Sequence, residues 1–284
     1  MGPAALRVAG IASAVSRDDR GMRDCGDLAG PDNPWATSVD GHRHLPQVAA
    51  WARTVAAAVG QELDADRIPV LLGGDHSLSI GSISALAKHC RTSGRKLRVL
   101  WLDAHADFNT SAITPSGNLH GMPVACLCGY GPPELTGLSG STPAVHPEQF
   151  RLVGMRSIDA GEKRFLGETR LEVFDMRCID EIGMRQTMTQ ALAGVDDDTH
   201  LHVSFDVDFL DPDIAPGVST TARGGPTYRE AHLCMEMIAD TGLLGSIDIV
   251  ELNPARDTRN QTAELVVDLV ESLFGKSTLL RPRE

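Results

Sequence analysis

Short apolar runs alternate along the chain with longer segments in which apolar residues recur every three or four positions. The short runs are rich in Val, Ile and Leu, as strands covered on both faces should be. Strands are predicted at 68–72, 97–102, 150–154, 200–205 and 246–252. Helices are predicted at 46–63, 79–91, 181–194, 227–239 and 261–274. This alternation predicts an α/β fold with a mostly parallel sheet and helices on both of its faces.

Two short signals add local detail to this pattern. Thr227 can cap the helix that follows it, and Glu230 can reach back from three positions on, so Glu230 is predicted to be structural. The stretch GPDNPW (30–35) is predicted to be a loop by its prolines and glycine.

Acids and histidines follow the predicted strands. GGDHS follows the first strand, DAHAD the second and DVDFLDP the fourth, while the fifth runs into ELNP. The third leads through MRSIDAGE to Asp159 and Glu162. Because ligands of open α/β sheets collect at the carboxyl ends of the strands, we expect these side chains to meet at one edge of the sheet.

Four carboxylates and two imidazoles at these strand ends are candidate metal ligands: His76, Asp103, His105, Asp107, Asp206 and Asp208. Six ligands are too many for one closed tetrahedral zinc site, and an oxygen-rich set with histidine favours Mn²⁺. We therefore predict a two-metal centre that activates water. For GGDHS or DAHAD taken alone, an alternative stays open, in which the acids are solvated loop carboxylates and the histidine is a core residue. Three acidic clusters together would repel one another without bound cations.

Composition narrows the classes of protein. The 284 residues are 42% hydrophobic, which predicts one domain spanning 1–284. A net charge of −12 argues against nucleic-acid partners and suits a cationic substrate, although acidity also serves solubility. No apolar run approaches the roughly 20 residues of a membrane span, and no export signal opens the chain, so no membrane partner is expected. Six scattered cysteines are typical of reduced thiols in the cytoplasm.

Five motifs together resemble the ureohydrolase family, which contains arginases and agmatinases, and most closely its bacterial arginases: GGDHS, DAHAD, SGNLHG, SFDVDFLDP and DIVELNP. The resemblance implies a three-layer α/β/α sandwich with two Mn²⁺ per subunit, held by the six candidate ligands. It implies assembly as a homotrimer or homohexamer. The implied reaction is hydrolysis of L-arginine to L-ornithine and urea by attack of a metal-bridging hydroxide on the guanidinium carbon.

The resemblance also implies roles for residues around the metals. His120 of SGNLHG matches the proton shuttle, Glu251 the carboxylate that binds the guanidinium group, and Asp107 a catalytic metal ligand. The matching substrate-binding positions are Asn109, Ser116 and Asn118 for the α-carboxylate, Asp159 and Glu162 for the α-amino group, and Thr220. From the residues alone, other interpretations stay open: a structural His120 at a helix start, a solvated Glu251, and Asp159 with Glu162 as a helix cap.

The sequence departs from the family pattern in two places. After APGV it reads STTARGG where the family commonly has Gly-Thr-Pro, which bears on Thr220. The strand that usually precedes the family's equivalent of MGP is missing, so the domain is expected to lack that first strand. Two rival functions remain: hydrolysis of agmatine or another guanidino compound, and metal binding without catalysis. Asn118 and Ser116 favour a substrate with a carboxylate, and intact ligands favour catalysis.

Overall fold

The structure is a computed structural model that describes residues 1–16, 21–32 and 40–279. Part of the predicted loop GPDNPW lies outside the described residues. The strands are β1 (Val70–Leu72), β2 (Lys96–Leu102), β3 (Phe150–Met155), β4 (Glu172–Asp175), β5 (Thr199–Asp206) and β6 (Leu244–Val250). The α-helices are α1 (Gly2–Val8), α2 (Ile11–Val15), α3 (Leu45–Asp64), α4 (Ser79–Ser93), α5 (Pro123–Leu127), α6 (Pro133–Thr136), α7 (Ala160–Leu166), α8 (Met176–Ala191), α9 (Tyr228–Asp240) and α10 (Gln261–Leu273).

The six strands form one parallel sheet in the order β1-β6-β5-β2-β3-β4. The two central strands pair over their whole common length, from Lys96 opposite Thr199 to Leu102 opposite Phe205. Their carboxyl ends therefore lie side by side. The predicted α/β class is confirmed, and the sheet is wholly parallel.

Successive side chains of β2 enter the two cores on opposite faces of the sheet. Val99 and Trp101 pack with helices α3, α4 and α5. Leu100 and Leu102 pack with α1, α2, α8, α9 and α10. All four side chains are fully buried, and burial of an aliphatic side chain of this size contributes about 1.5–3 kcal/mol. These two cores make the three layers predicted for the fold.

The strand β4 and the helix that follows it correct the sequence-based assignment. No strand was predicted at Glu172–Asp175, because in this short edge strand only Phe174 is buried and the apolar run is too brief to detect. The helix predicted at 181–194 begins at Met176, where Asp175 accepts a hydrogen bond from the backbone N–H of Cys178. It is interrupted at Gly183, whose φ of 79° is non-helical, and ends at Ala191.

Five of the described helices were also missing from the prediction, all of them seven residues long or shorter: α1, α2, α5, α6 and α7. Helices this short give too few turns for a clear apolar period. The predicted capping of α9 is confirmed, since the Glu230 carboxylate accepts the backbone N–H of Thr227 at 2.8 Å. Within the described residues, no helix is long and apolar enough to cross a membrane.

Candidate active site

The carboxyl ends of three strands, of which β2 and β5 are adjacent, bring the six candidate ligands together. Asp103 directly follows β2 and Asp206 ends β5, while His76 lies just after β1. Short turns then aim the alternate residues inward. Asp103 accepts the backbone N–H of His105 at 2.6 Å, and Asp206 accepts that of Asp208 at 2.7 Å. We call the six ligands together the floor of the site.

A first cluster of the floor surrounds the imidazole of His76. Its Nδ1 lies 3.0 Å from Asp103 Oδ2, 3.1 Å from Asp206 Oδ2 and 3.3 Å from Asp107 Oδ2. The ring is buried, yet Nδ1 has hydrogen-bond geometry with none of the described residues. A buried ring nitrogen facing three carboxylate oxygens has the surroundings of a metal ligand.

A second cluster shares one residue with the first. His105 Nδ1 lies 3.1 Å from Asp208 Oδ2 and 3.3 Å from Asp103 Oδ1. Two groups of ligand atoms are therefore compact enough to hold an ion each: His76, Asp103 and Asp107, and Asp103, His105 and Asp208. Asp103 contributes one oxygen to each group, which is how a carboxylate links the two ions of a binuclear centre.

The electrostatics of the floor call for added positive charge. Burial raises the pKa of Asp107 and Asp206 well above the usual range, and the charge of Asp103 raises them further. Burial would raise the pKa of Asp103 too, but the adjacent imidazoles of His105 and His76 hold it low. Burial would lower the pKa of His105, but adjacent carboxylates raise it to about 12. Acids crowded in this way are stabilised by bound cations.

Sequence reasoning missed two residues that hold His76 in place. The indole of Trp101 stacks on the imidazole with ring centroids 3.9 Å apart and planes 6° apart. Trp101 Nε1 also donates to Asp103 Oδ2 at 3.0 Å. On the other ring nitrogen, His76 Nε2 lies 2.8 Å from Ser204 Oγ. The available signal was polarity inside a strand, because Ser204 interrupts the apolar run that precedes Asp206.

An open cleft of about 240 Å³ lies above the floor. Four of the ligands reach its surface, and Asp103 and Asp208 are buried beneath it. Every predicted catalytic and substrate-binding residue lines it: Asp107, Asn109, Ser116, Asn118, His120, Asp159, Glu162, Thr220 and Glu251. The cleft is also lined by Thr114, Pro115, Gly121 and Ser157, which the sequence reasoning did not single out.

His120 and Glu251 form one wall of the cleft. The strand predicted at 246–252 ends at Val250, and Glu251 turns out of it with a φ of 64°. This left-handed conformation costs roughly 1–2 kcal/mol in a residue with a Cβ. Glu251 Oε1 accepts the backbone N–H of His76 at 2.9 Å and lies 3.5 Å from His120 Nδ1. The adjacent carboxylate of Glu251 raises the pKa of His120, although burial opposes it.

We call Asn109, Ser116, Asn118 and Asp159 the rim of the cleft. Asn109 Nδ2 donates to Asp159 Oδ2 at 3.1 Å, and the backbone N–H of Asn118 donates to Ser116 Oγ at 3.2 Å. The rim therefore consists of loop side chains that are already partly paired with one another.

Two further predicted substrate contacts make internal hydrogen bonds. The carboxylate of Glu162 accepts the backbone N–H groups of Phe108 at 2.8 Å and Asp159 at 3.2 Å, so the capping interpretation of Asp159 and Glu162 holds for Glu162. The Thr220 hydroxyl donates to Asp208 Oδ2 at 3.0 Å. Thr220 therefore orients a candidate metal ligand as well as lining the cleft.

Comparison with known proteins agrees with this geometry. The sequence profile of the Arginase family matches residues 1–275. The arginase of Bacillus caldovelox is 42% identical over 282 residues, which cover 98% of this chain and 93% of that protein. The arginase of Brucella melitensis is 44% identical over 288 residues, covering 99% and 92%. The crystal structure of Bacillus subtilis arginase superposes with a TM-score of 0.92 at 38% identity, covering 98% and 93%. The chain belongs to the Arginase family.

Proposed function

We propose that this enzyme hydrolyses L-arginine to L-ornithine and urea at a centre of two Mn²⁺ ions. The observation that carries the proposal is the pair of carboxylate and imidazole clusters that share Asp103 on the floor of an open cleft. Relatives about 40% identical over nearly the whole chain are arginases, so agmatine is not the favoured substrate.

The two clusters divide the metal ligands between two ions. His76, Asp107 and Asp206 would hold one ion and His105 with Asp208 the other, with Asp103 bound to both. Bound manganese would supply the Lewis acidity that activates water near neutral pH. Hard carboxylate oxygens with two imidazoles fit Mn²⁺.

Glu251 and His120 would handle the guanidinium group and the departing amine. Glu251 is a buried carboxylate on the wall of the cleft, and a cationic guanidinium group would form an ion pair with it. His120 Nδ1 faces Glu251, which leaves Nε2 to give a proton to the leaving amine. A raised pKa keeps more of His120 in the protonated form that this step needs.

The rim would recognise the amino-acid end of the substrate. Asn118, Ser116 and Asn109 are uncharged donors suited to an α-carboxylate, and Asp159 offers a charge to an α-amino group. A site built to hydrogen-bond a carboxylate discriminates against a substrate that lacks it, because its donors are then left unpaired. Agmatine lacks this carboxylate.

We extend the proposal to the enzyme's surroundings. Assembly as a homotrimer or homohexamer in the cytoplasm is what the resemblance to bacterial arginases implies. All six cysteines are free thiols, which is compatible with a reducing compartment. Mass in solution checks the oligomer.

Urea release from a panel of guanidino compounds tests the function. The panel contains arginine, agmatine and guanidinobutyrate, each assayed with the metal-free protein and after addition of Mn²⁺. We expect manganese-dependent urea release with arginine as the best substrate. Preference for agmatine would overturn the substrate but keep the reaction class. Manganese binding without urea release from any compound would make the chain a non-catalytic metal-binding protein.

A further inference from the structure

The loop that follows β5 carries two residues of the site. Residues 207–226 connect β5 to α9, and we call them the β5–α9 loop. This loop contains Asp208, a ligand of the second cluster, and Thr220, whose hydroxyl donates to Asp208. Loop backbone is more mobile than strand backbone, so a metal ligand on a loop needs contacts that hold the backbone in place.

The side chain of Arg156 makes such contacts. Arg156 directly follows β3 and is half-buried. Its guanidinium group donates to five backbone carbonyl oxygens at 2.8–3.1 Å, namely those of Gly154, Asp208, Phe209, Leu210 and Ala222. A guanidinium group has five N–H donors, so these carbonyls match its full capacity.

The contacts of Arg156 join the two ends of the β5–α9 loop. Its Nη2 donates to Asp208 at 2.8 Å, near the start of the loop, and to Ala222 at 2.8 Å, near the end. Gly225 leaves room for this arrangement, since a Cβ there would lie 2.5 Å from Arg156 Nη2. The guanidinium group therefore fastens the start of the loop to its end.

The backbone of Arg156 contacts the other part of the second cluster. Its N–H donates to the carbonyl of Ala104 at 2.9 Å, and Ala104 lies between Asp103 and His105. The N–H of Ala104 in turn donates to Asp208 Oδ1 at 3.2 Å. Arg156 thus holds the backbone on both sides of the second cluster.

We propose that Arg156 is a positioning residue for metal binding: it holds the β5–α9 loop so that Asp208 can share an ion with Asp103 and His105. The inference rests on the two-ion centre of the proposed function. The first cluster takes none of its ligands from this loop, so Arg156 acts on one of the two ions. Groups that orient metal ligands commonly change metal affinity 10–100-fold.

The charge of Arg156 by itself would have the opposite effect on metal binding. A cation near the floor repels a bound dication, so loss of the charge without a change of geometry would strengthen binding. The sign of the change in Arg156→Gln therefore separates positioning from electrostatics. Arg156→Lys keeps the charge but replaces the planar fork of donors with a single ammonium group, which cannot match five carbonyls.

Arg98 provides the matched control for a merely structural role. It is half-buried like Arg156, and its Nη1 donates to the backbone carbonyls of Ala191 at 3.1 Å and Ala193 at 3.2 Å. Arg98 lies on β2, five residues before Asp103, and does not line the cleft. Arg98→Gln and Arg98→Lys therefore remove hydrogen bonds of the same kind away from the metal ligands.

The test is a titration of metal-stripped full-length protein with Mn²⁺, in which electron paramagnetic resonance measures free Mn²⁺. Wild type should bind two ions, and His105→Asn identifies the dissociation constant that belongs to the second cluster. In Arg156→Gln and Arg156→Lys we expect binding at the second cluster to weaken about tenfold and binding at the first to change less than about twofold. The two Arg98 variants should change neither constant by more than about twofold.

A double variant checks that the effect acts through the second cluster. In the His105→Asn background, Arg156→Gln should leave the affinity for the remaining ion unchanged. An unchanged second constant in both Arg156 variants, stronger binding in Arg156→Gln, equal weakening of both ions, or an equal loss in the Arg98 variants each overturn the inference. A wild-type protein that binds fewer than two Mn²⁺ ions overturns the two-ion centre of the proposed function together with it.

Discussion

On the floor of the cleft, like charges face one another and a buried ring nitrogen lacks a hydrogen bond, whereas on the rim the polar groups partly satisfy one another. The floor holds His76 Nδ1 within 3.3 Å of three carboxylates. On the rim, the Asn109 amide pairs with Asp159, and Ser116 accepts from the backbone of Asn118. The floor needs cations to balance its charge, whereas the rim keeps one unpaired buried acceptor, the Oδ1 atom of Asn109.

This difference follows from where each region lies. The floor is built on the ends of buried strands, so its geometry is held by the sheet and by turns that accept backbone N–H groups. The rim lies on loops, which tolerate change without loss of the fold. We therefore expect substitutions on the floor to change metal content and turnover together, and substitutions on the rim to change substrate preference.

The largest expected effect is at His120, which stands on the wall between the two regions. His120→Asn should leave manganese content unchanged while kcat falls by about 10²–10⁴-fold, because the leaving amine loses its proton donor. Metal analysis and steady-state kinetics check this, with the exposed His146→Asn as control. Loss of manganese in His120→Asn would mean that His120 contributes to metal binding, as the residues of the floor do.

The second largest effect is expected at Asp206, one of the candidate metal ligands of the floor. Asp206→Asn should lower manganese content and lower turnover by about 10²–10³-fold, since it removes one charge from a cluster that holds two dications. Asp213→Asn, an exposed acid beyond the same strand, should change neither. Full turnover and two bound ions in Asp206→Asn would contradict a binuclear centre.

The floor was also easier to predict from the sequence than the rest of the molecule. Asp103, His105 and Asp107 follow a buried strand directly, so the carboxyl end of that strand fixes their place. The partners of His76 were not predicted, because Trp101 and Ser204 contact it across strands and no local pattern records such a contact.

The fold shows the same division. Long buried strands such as β2 and β5 were predicted to within a residue or two of their ends, because both faces select apolar side chains. The edge strand β4 was missed, since exposure on one side removes that selection. Glu251 was placed within a strand, and its left-handed backbone arises from tertiary contacts with Gly74 and His76.

A smaller effect is expected at Glu162, whose carboxylate accepts the backbone N–H of the rim residue Asp159. Burial raises the pKa of this carboxyl from 4.5 to about 7. The folded state then binds more protons than the unfolded state between these values, so stability is lost as the pH rises from about 4.5 to 7. The shift corresponds to about 3 kcal/mol.

Urea unfolding of wild type and Glu162→Gln at pH 5 and pH 7.5 checks this pH dependence. The free energy of unfolding of wild type should fall more between the two pH values than that of the variant. The exposed Glu168→Gln should behave as wild type does. Parallel pH profiles for wild type and Glu162→Gln would mean that this carboxyl is ionised throughout.

The smallest effect is expected on the rim itself, at Asn118. Asn118→Ala should raise KM for arginine about tenfold and leave KM for agmatine nearly unchanged, because one hydrogen bond to a carboxylate contributes about 1.5 kcal/mol and agmatine has no carboxylate to lose it from. Manganese content and kcat should stay as in wild type, since Asn118 lies on a loop outside both metal clusters. Steady-state kinetics on both substrates provide the measurement, with Ser111→Ala as the control because it is exposed on the same loop and does not line the cleft. An equal rise of KM for both substrates would mean that Asn118 shapes the cleft without reading the carboxylate, and the division between floor and rim would then lose its link to specificity.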